Sequence, residues 1–153
     1  MERVEPIRSV KKINDLKKYL LGSGNMRNYT LVVLGLNSAL RVSDILNLKW
    51  GDVFDFEENR FKTHVYVKEK KTGKNKKFLL NQNATGAILK LKRKLGHINI
   101  LDYIFKSREG QNKPITRYMA IKIIKSSCEA VGIKEHIGCH SLRKTFGYHS
   151  WKK

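Results

Sequence analysis

Acidic side chains are scarce in this sequence. Only 13 Asp+Glu stand against 32 Lys+Arg, for a formal net charge of +19 at pH 7. So few carboxylates argue against a two-metal nuclease, which needs several of them converging on its cations. The acids that do cluster, in "FDFEEN", read as a solvated turn. Cysteine is scarce too. Cys128 and Cys139 are the only two, too few for a disulfide framework, and Cys128 lies on an apolar helical stretch as a small core residue. His64, His97, His136, His140 and His149 form no HExxH spacing, the cysteines form no CxxC, and the adjacent Cys139–His140 pair matches no common zinc spacing. No metal and no cofactor are expected. The opening "MERVEPIRSVKK" lacks the apolar stretch of a signal peptide, and the longest apolar run, "LVVLGL", is too short to span a bilayer. A cytoplasmic, reducing location is the expectation. Repeats, low-complexity segments and interior Pro/Gly/Ser linkers are missing as well, so residues 1–153 are read as one domain.

What is present is apolar enough to fold and basic enough to need a partner. A hydrophobic fraction of 41% fits a packed globule. A charge of this size repels itself in the folded state unless a polyanion neutralises it. Nucleic acid is the first candidate and an anionic membrane surface the second.

The periodicity is mostly helical. "VKKINDLKKYLL" carries Ile13, Leu16 and Leu20 at helical spacing, and "GSG" ends it. "NYTLVVLGLNSAL" is apolar nearly all round and reads as a buried central helix. "VSDILNLKW" opens on Ser43 as an expected N-cap. "FKTHVYVKE" then alternates, with Phe61, Thr63, Val65 and Val67 on one face and Lys62, His64, Tyr66 and Lys68 on the other. "KKTGKNKK" follows as a turn around Gly73, and "FLLN" as the return strand, which makes a hairpin with a lysine-loaded tip over 68–77. A helix from about Ala84 to Leu95 puts Ile88, Leu91 and Leu95 on one side. A long helix is capped near Thr116 and stopped by Gly132. A last helix starts near Ser141. The expected fold class is mainly α with a small antiparallel β-sheet or hairpin, an α+β arrangement.

The groups suited to phosphate chemistry are cationic and sit in three separated places. Positioned Arg, Lys and His side chains neutralise charge that develops on a transferring phosphoryl group. Arg41 stands in "SALRVSDIL" between apolar residues, where a surface arginine is not needed; the alternative is a buried salt bridge to Asp44 or Asp52. Lys70, Lys71 and Lys74 sit at the hairpin tip, where the alternative is a solvated basic turn. The "KKTGK" stretch lacks P-loop spacing and lies in a hairpin, not at a strand-to-helix turn. His140 and Arg143 fall on one side of a helical turn.

In this order and context, the three places resemble the catalytic domain of the tyrosine recombinases, the phage integrase family, over roughly residues 5 to 151. "LGLNSALRVSDILNLKWGDV" looks like the family's first-arginine motif. "VKEKKTGKNKKFLL" looks like its β-hairpin with the catalytic lysine. "ITRYMAIKIIKSSCEAVGI" followed by "HSLRKTFGYH" looks like its long helix and its HxxR box. The resemblance implies DNA integration or site-specific recombination, by strand cleavage and rejoining through a phosphotyrosine link. It implies that Arg41 and Arg143 grip the scissile phosphate. His140 would assist proton transfer or support the phosphate. Lys71 would protonate the leaving 5′ oxygen, with Lys70 and Lys74 as near alternatives. Asp44 would brace the first arginine. Further DNA contacts are expected from Lys68, Lys70, Lys74, Lys76 and Lys77 in the hairpin and from Lys92 and Arg93 in "KLKRKL".

The family's nucleophilic tyrosine lies well beyond the HxxR box. Tyr148 follows Arg143 too closely to match it, His149 matches a position inside the helix, and Trp151 comes too early for the later phosphate contact. The chain is therefore expected to be cut before its nucleophile, with no separate core-binding domain ahead of it, and to be inactive as given. Its expected partner is double-stranded DNA. Other protomers would join a recombination complex when the protein is full-length, while the 153 residues alone would be monomeric. Neither a membrane nor a small-molecule substrate is expected. Two other readings remain at this point: a non-catalytic DNA-binding module on the same fold, and a basic protein that binds anions without specificity.

Overall fold

The computed structural model describes residues 3–69 and 72–152. Helix α1 spans Val10–Gly22 and α2 spans Met26–Leu36. Short helices α3 (Val42–Leu46) and α4 (Trp50–Val53) lead into β1 (Phe54–Asp55) and β2 (Arg60–Phe61). The hairpin strands β3 (His64–Lys68) and β4 (Asn75–Leu79) come next, and helices α5 (Gln82–Leu95), α6 (Arg117–Ala130) and α7 (Ser141–Lys152) complete the order.

Side-chain oxygens start the long helices. Ser9, Asn25, Asn81 and Thr116 each accept a backbone N–H three residues on, which satisfies a donor that the first turn leaves open. Helix α6 is closed off just after its end by Gly132, whose φ of +75° lets the Ile133 N–H return to the Cys128 carbonyl at 3.0 Å.

The core is built around α2. All seven residues from Thr30 to Leu36 are buried, as the all-round apolar pattern requires. Helix α5 lies along it, and the buried Thr30 hydroxyl donates to the Ala87 carbonyl at 3.1 Å, so that polar group is satisfied. Helix α1 and helix α7 pack on other sides of α2. Residues 4–9 strap the outer face of α7. Ile7 is fully buried, its N–H donates to Thr145 Oγ1 at 2.9 Å, and its carbonyl accepts from His149 Nε2 at 2.8 Å. His149 thus ties the strap to α7.

Several sequence-based boundaries move. Helix α2 stops at Leu36 and not at Leu40, because Asn37 Nδ2 and Ser38 Oγ donate to the carbonyls of Val33 and Leu34 and take the place of the next backbone donors. Ser43 is not the N-cap of α3. Arg41 holds that place with extended backbone (φ −75°, ψ 155°), and Ser43 lies within the helix. Two small antiparallel sheets are present instead of one. Phe61 belongs to the extra one, edge-on to Phe54 at 5.1 Å. The return strand begins at Asn75, not Phe78, so Lys76 and Lys77 are strand residues opposite Val67 and Tyr66 and are not in the turn. Leu95 is exposed, whereas Ile88 and Leu91 are buried.

Burial pushes the Cys128 thiol up to about 12, with the Glu135 carboxylate adding to the effect. A thiolate is the reactive form, so burial both depletes it and blocks access, and this sulfur reacts far more slowly than an exposed thiol. Titration with a chromogenic disulfide should therefore find one accessible thiol, Cys139, in the native protein and two in denaturant. A second fast thiol in the native state would show that the α6 core face is open.

Candidate active site

Three elements bring cations to one cleft. The turn after α2 delivers Arg41 in extended conformation at the start of α3. Asp44 sets that geometry, since its Oδ2 accepts the Arg41 backbone N–H at 3.2 Å. This is half of a capping box, and a guanidinium has no acceptor to supply the other half. Helix α7 delivers Arg143. Its first turn is fixed by Ser141 Oγ, which accepts the Gly138 N–H at 2.8 Å, and by the His140 carbonyl, which accepts the Lys144 N–H at 2.9 Å. The β3–β4 hairpin forms the third wall.

Arg41, Asp44 and Arg143 line a cavity of about 560 Å³ together with Val67, Lys68 and Lys76 of the hairpin. An adjoining recess of similar size is lined by Arg41, His140, Arg143 and Lys144. The two arginines therefore sit where the recesses meet, 102 residues apart in sequence (143 − 41). Both are exposed. Among the described residues the ion pairs are Glu5–Arg8, Lys11–Asp15, Glu69–Lys76 and Asp102–Lys106. Arg41 is thus not the buried salt-bridge arginine that was the alternative, and Asp52 spends its Oδ2 on the Lys49 N–H at 2.8 Å.

The hairpin's single acid organises its base. Glu69 accepts from Lys76 Nζ at 2.5 Å and from Thr72 Oγ1 at 3.0 Å. Its backbone also closes the turn, donating to the Lys74 carbonyl and accepting from the Gly73 N–H, both at 2.9 Å. The Lys76 ammonium, the Thr72 hydroxyl and the Arg41 charge hold its carboxyl below the ordinary range. Sequence reading passed over Glu69, although one acid within "KEKKTGKNKK" was the visible signal. It also passed over Lys144 and over Tyr66, which lines the larger cavity from β3.

The other expected site residues fall in different places. Lys70 and Lys71 lie outside the described residues. Lys74 and Lys77 are exposed and do not line the cleft, whereas Lys68 does. Lys76 reaches the cleft already paired with Glu69. Lys92 and Arg93 do not line it. The start of α5 is tied to Asn37 beside the cleft, through Asn83 Nδ2 at 3.2 Å. The last turn of α5 lies about 15–20 Å further along the helix axis, where Lys92 Nζ stands 4.9 Å from the centre of the Phe54 ring. Among the described residues no three His, Cys, Asp or Glu side chains are grouped to hold a metal. No helix there is long and apolar enough to cross a membrane.

Comparison with known proteins identifies the family. The profile described as the phage integrase family matches residues 7–152. The chain belongs to that family. It is 40% identical over all 153 residues to the "probable integrase/recombinase YoeC" of Bacillus subtilis (strain 168), and covers 78% of that protein. Among solved structures, a XerA recombinase superposes with a TM-score of 0.75 at 22% identity, over 98% of this chain and 52% of its own. A lambda integrase tetramer bound to a Holliday junction gives 0.69 at 17% identity, over 100% and 43%. The Tn1549 transposon integrase in complex with circular intermediate DNA gives 0.64 at 18%, over 99% and 54%. The fold is that of the tyrosine recombinase catalytic domain, and the chain spans about half the length of these solved relatives.

Proposed function

We propose that this protein takes part in DNA integration or site-specific recombination, and that its cleft holds the scissile phosphate. The observation that carries this reading is the meeting of Arg41 and Arg143 at one cleft, neither in an ion pair among the described residues. Two planar guanidinium forks match the non-bridging oxygens of one phosphodiester. The relatives solved in complex with a Holliday junction and with circular intermediate DNA support DNA as the ligand.

In this reading a tyrosine hydroxyl attacks the phosphorus. The new bond is a 3′-phosphotyrosyl ester, and the bond that breaks is to the 5′ oxygen. Arg41 and Arg143 neutralise the charge that builds on the phosphoryl oxygens. His140, at the entrance of α7, takes up or steadies the nucleophile's proton. Lys71 gives the leaving 5′ oxygen its proton. Asp44 is a positioning residue that acts through the Arg41 backbone. Rejoining runs the same steps backwards with another 5′ hydroxyl, so no net bond energy has to be supplied. The full-length protein would act with other copies of itself on two duplexes.

Neither Tyr148 nor Tyr66 stands where the resemblance puts the nucleophile. The 153 residues by themselves are therefore expected to bind duplex DNA without forming a covalent link. The test is a nicked suicide duplex carrying the cognate site. The full-length gene product should leave a protein–DNA adduct that survives denaturant, and the 153-residue chain should shift the same duplex without one. Binding with no adduct from the full-length product would instead favour a non-catalytic DNA-binding module.

A further inference from the structure

A second basic recess lies at the other end of the α2–α5 pair. Its cavity is about 410 Å³, and Arg27, Lys94 and Arg108 surround it over an apolar floor that includes Met26, Leu91 and Leu95. No acidic residue lines it, and none of its three cations is in an ion pair among the described residues. Arg27 is half-buried and fixed in place. Its Nε and Nη2 donate to Asn28 Oδ1 at 3.2 and 3.0 Å, and its Nη1 donates to the Lys106 carbonyl at 3.3 Å. Those three bonds leave two of the five guanidinium N–H donors for a ligand. Burial and the nearby Arg108 charge both pull the Arg27 pKa below its ordinary value. The negative end of α5 accounts for one cation at its last turn, but not for arginines from two other segments beside it. Like charges gathered this way are relieved by an anion.

We propose that Arg27, Lys94 and Arg108 form a second phosphate-binding site, which takes a backbone phosphate of the same duplex whose scissile phosphate enters the main cleft. The inference rests on the DNA-binding reading above. The length of α5 puts the two sites about 20 Å apart. Successive phosphates of one strand advance about 3.4 Å along the duplex axis, so the second contact falls about six nucleotides from the cut.

The geometry dictates the experiment. Arg108→Gln and Lys94→Gln are combined, since both side chains are exposed and the fold does not depend on them. Binding is measured against salt on a duplex of about 24 base pairs and on one of about 10 centred on the cleavage site, which is too short to reach the recess. The double variant should bind the long duplex roughly tenfold more weakly, with the log–log salt slope smaller by about two, and bind the short duplex like the parent. No loss on the long duplex, or equal losses on both, overturns the second site and leaves the main reading intact. Failure of the parent protein to bind either duplex overturns both. An unchanged DNA slope, with loss only of the thermal stabilisation that inorganic phosphate gives the parent, would assign the recess to free phosphate and overturn the DNA contact.

Discussion

Replacing Arg143 by alanine in the full-length protein should lower the rate of covalent adduct formation by about 10²–10⁴-fold, while the duplex is still bound within about tenfold of the parent. Each factor of ten is about 1.4 kcal/mol, so the change removes about 3–5 kcal/mol of transition-state stabilisation. Arg41→Ala should give a loss of the same order. On the proposed reading the double variant should fall little further, because two forks that grip one phosphate act as a unit. Arg→Lys at either position should recover only part of the rate, since an ammonium cannot span two oxygens in one plane. Neither substitution should move the melting temperature appreciably, as both side chains are exposed and make no ion pair among the described residues. Adduct formation within threefold of the parent in either alanine variant would remove the arginine pair from the chemistry.

The pair was legible in sequence because each arginine sits in a motif with apolar context. What the motifs could not show is the device that aims each one. The Arg41 backbone is set by Asp44 and by a helix that ends four residues earlier than its apolar run, through competition from Asn37 and Ser38. Such side-chain bonds to the backbone leave little trace in hydrophobic periodicity. The alternation of β3 was legible, and Val65 is indeed buried and Tyr66 exposed. The strand partner was legible only from Phe78 onward, because "GKNKK" reads as a turn by composition, whereas pairing with Val67 and Tyr66 draws Lys76 and Lys77 into β4. The basic run of α5 read as part of the same groove because sequence carries no distance. No residue of α5, Lys92 and Arg93 included, lines the cleft that holds Arg41.

Gly35→Ala should show how closely the core and the site are coupled. Alanine is the better helix former by roughly 1 kcal/mol in an exposed helix interior, so propensity alone predicts a gain. Packing predicts the opposite. A Cβ on Gly35 would stand 2.5 Å from Leu142 Cδ1 and 3.1 Å from Leu142 Cβ. The Cδ1 could swing aside in an open site, but Leu142 is buried and its Cβ is fixed to the α7 backbone. Overpacking of this kind costs about 1–3 kcal/mol, which exceeds the propensity gain. The net loss, up to about 2 kcal/mol, corresponds to a fall in melting temperature of up to about 8 °C for a domain of this size. Leu142 precedes Arg143, so the same displacement should move the guanidinium off the phosphate it is proposed to hold. Adduct formation should drop by at least about tenfold, because an ångström of misplacement is costly at a reacting centre. Leu142→Ala alone should cost about 2–5 kcal/mol through the cavity it leaves. Gly35→Ala added to it should restore part of that loss, since the new methyl group fills space Leu142 has vacated, and a double-mutant cycle would register the reversal of sign. Gly35→Ala melting at or above the parent temperature, with adduct formation unchanged, would mean that α7 can shift freely against α2 and that Arg143 is not held by this contact.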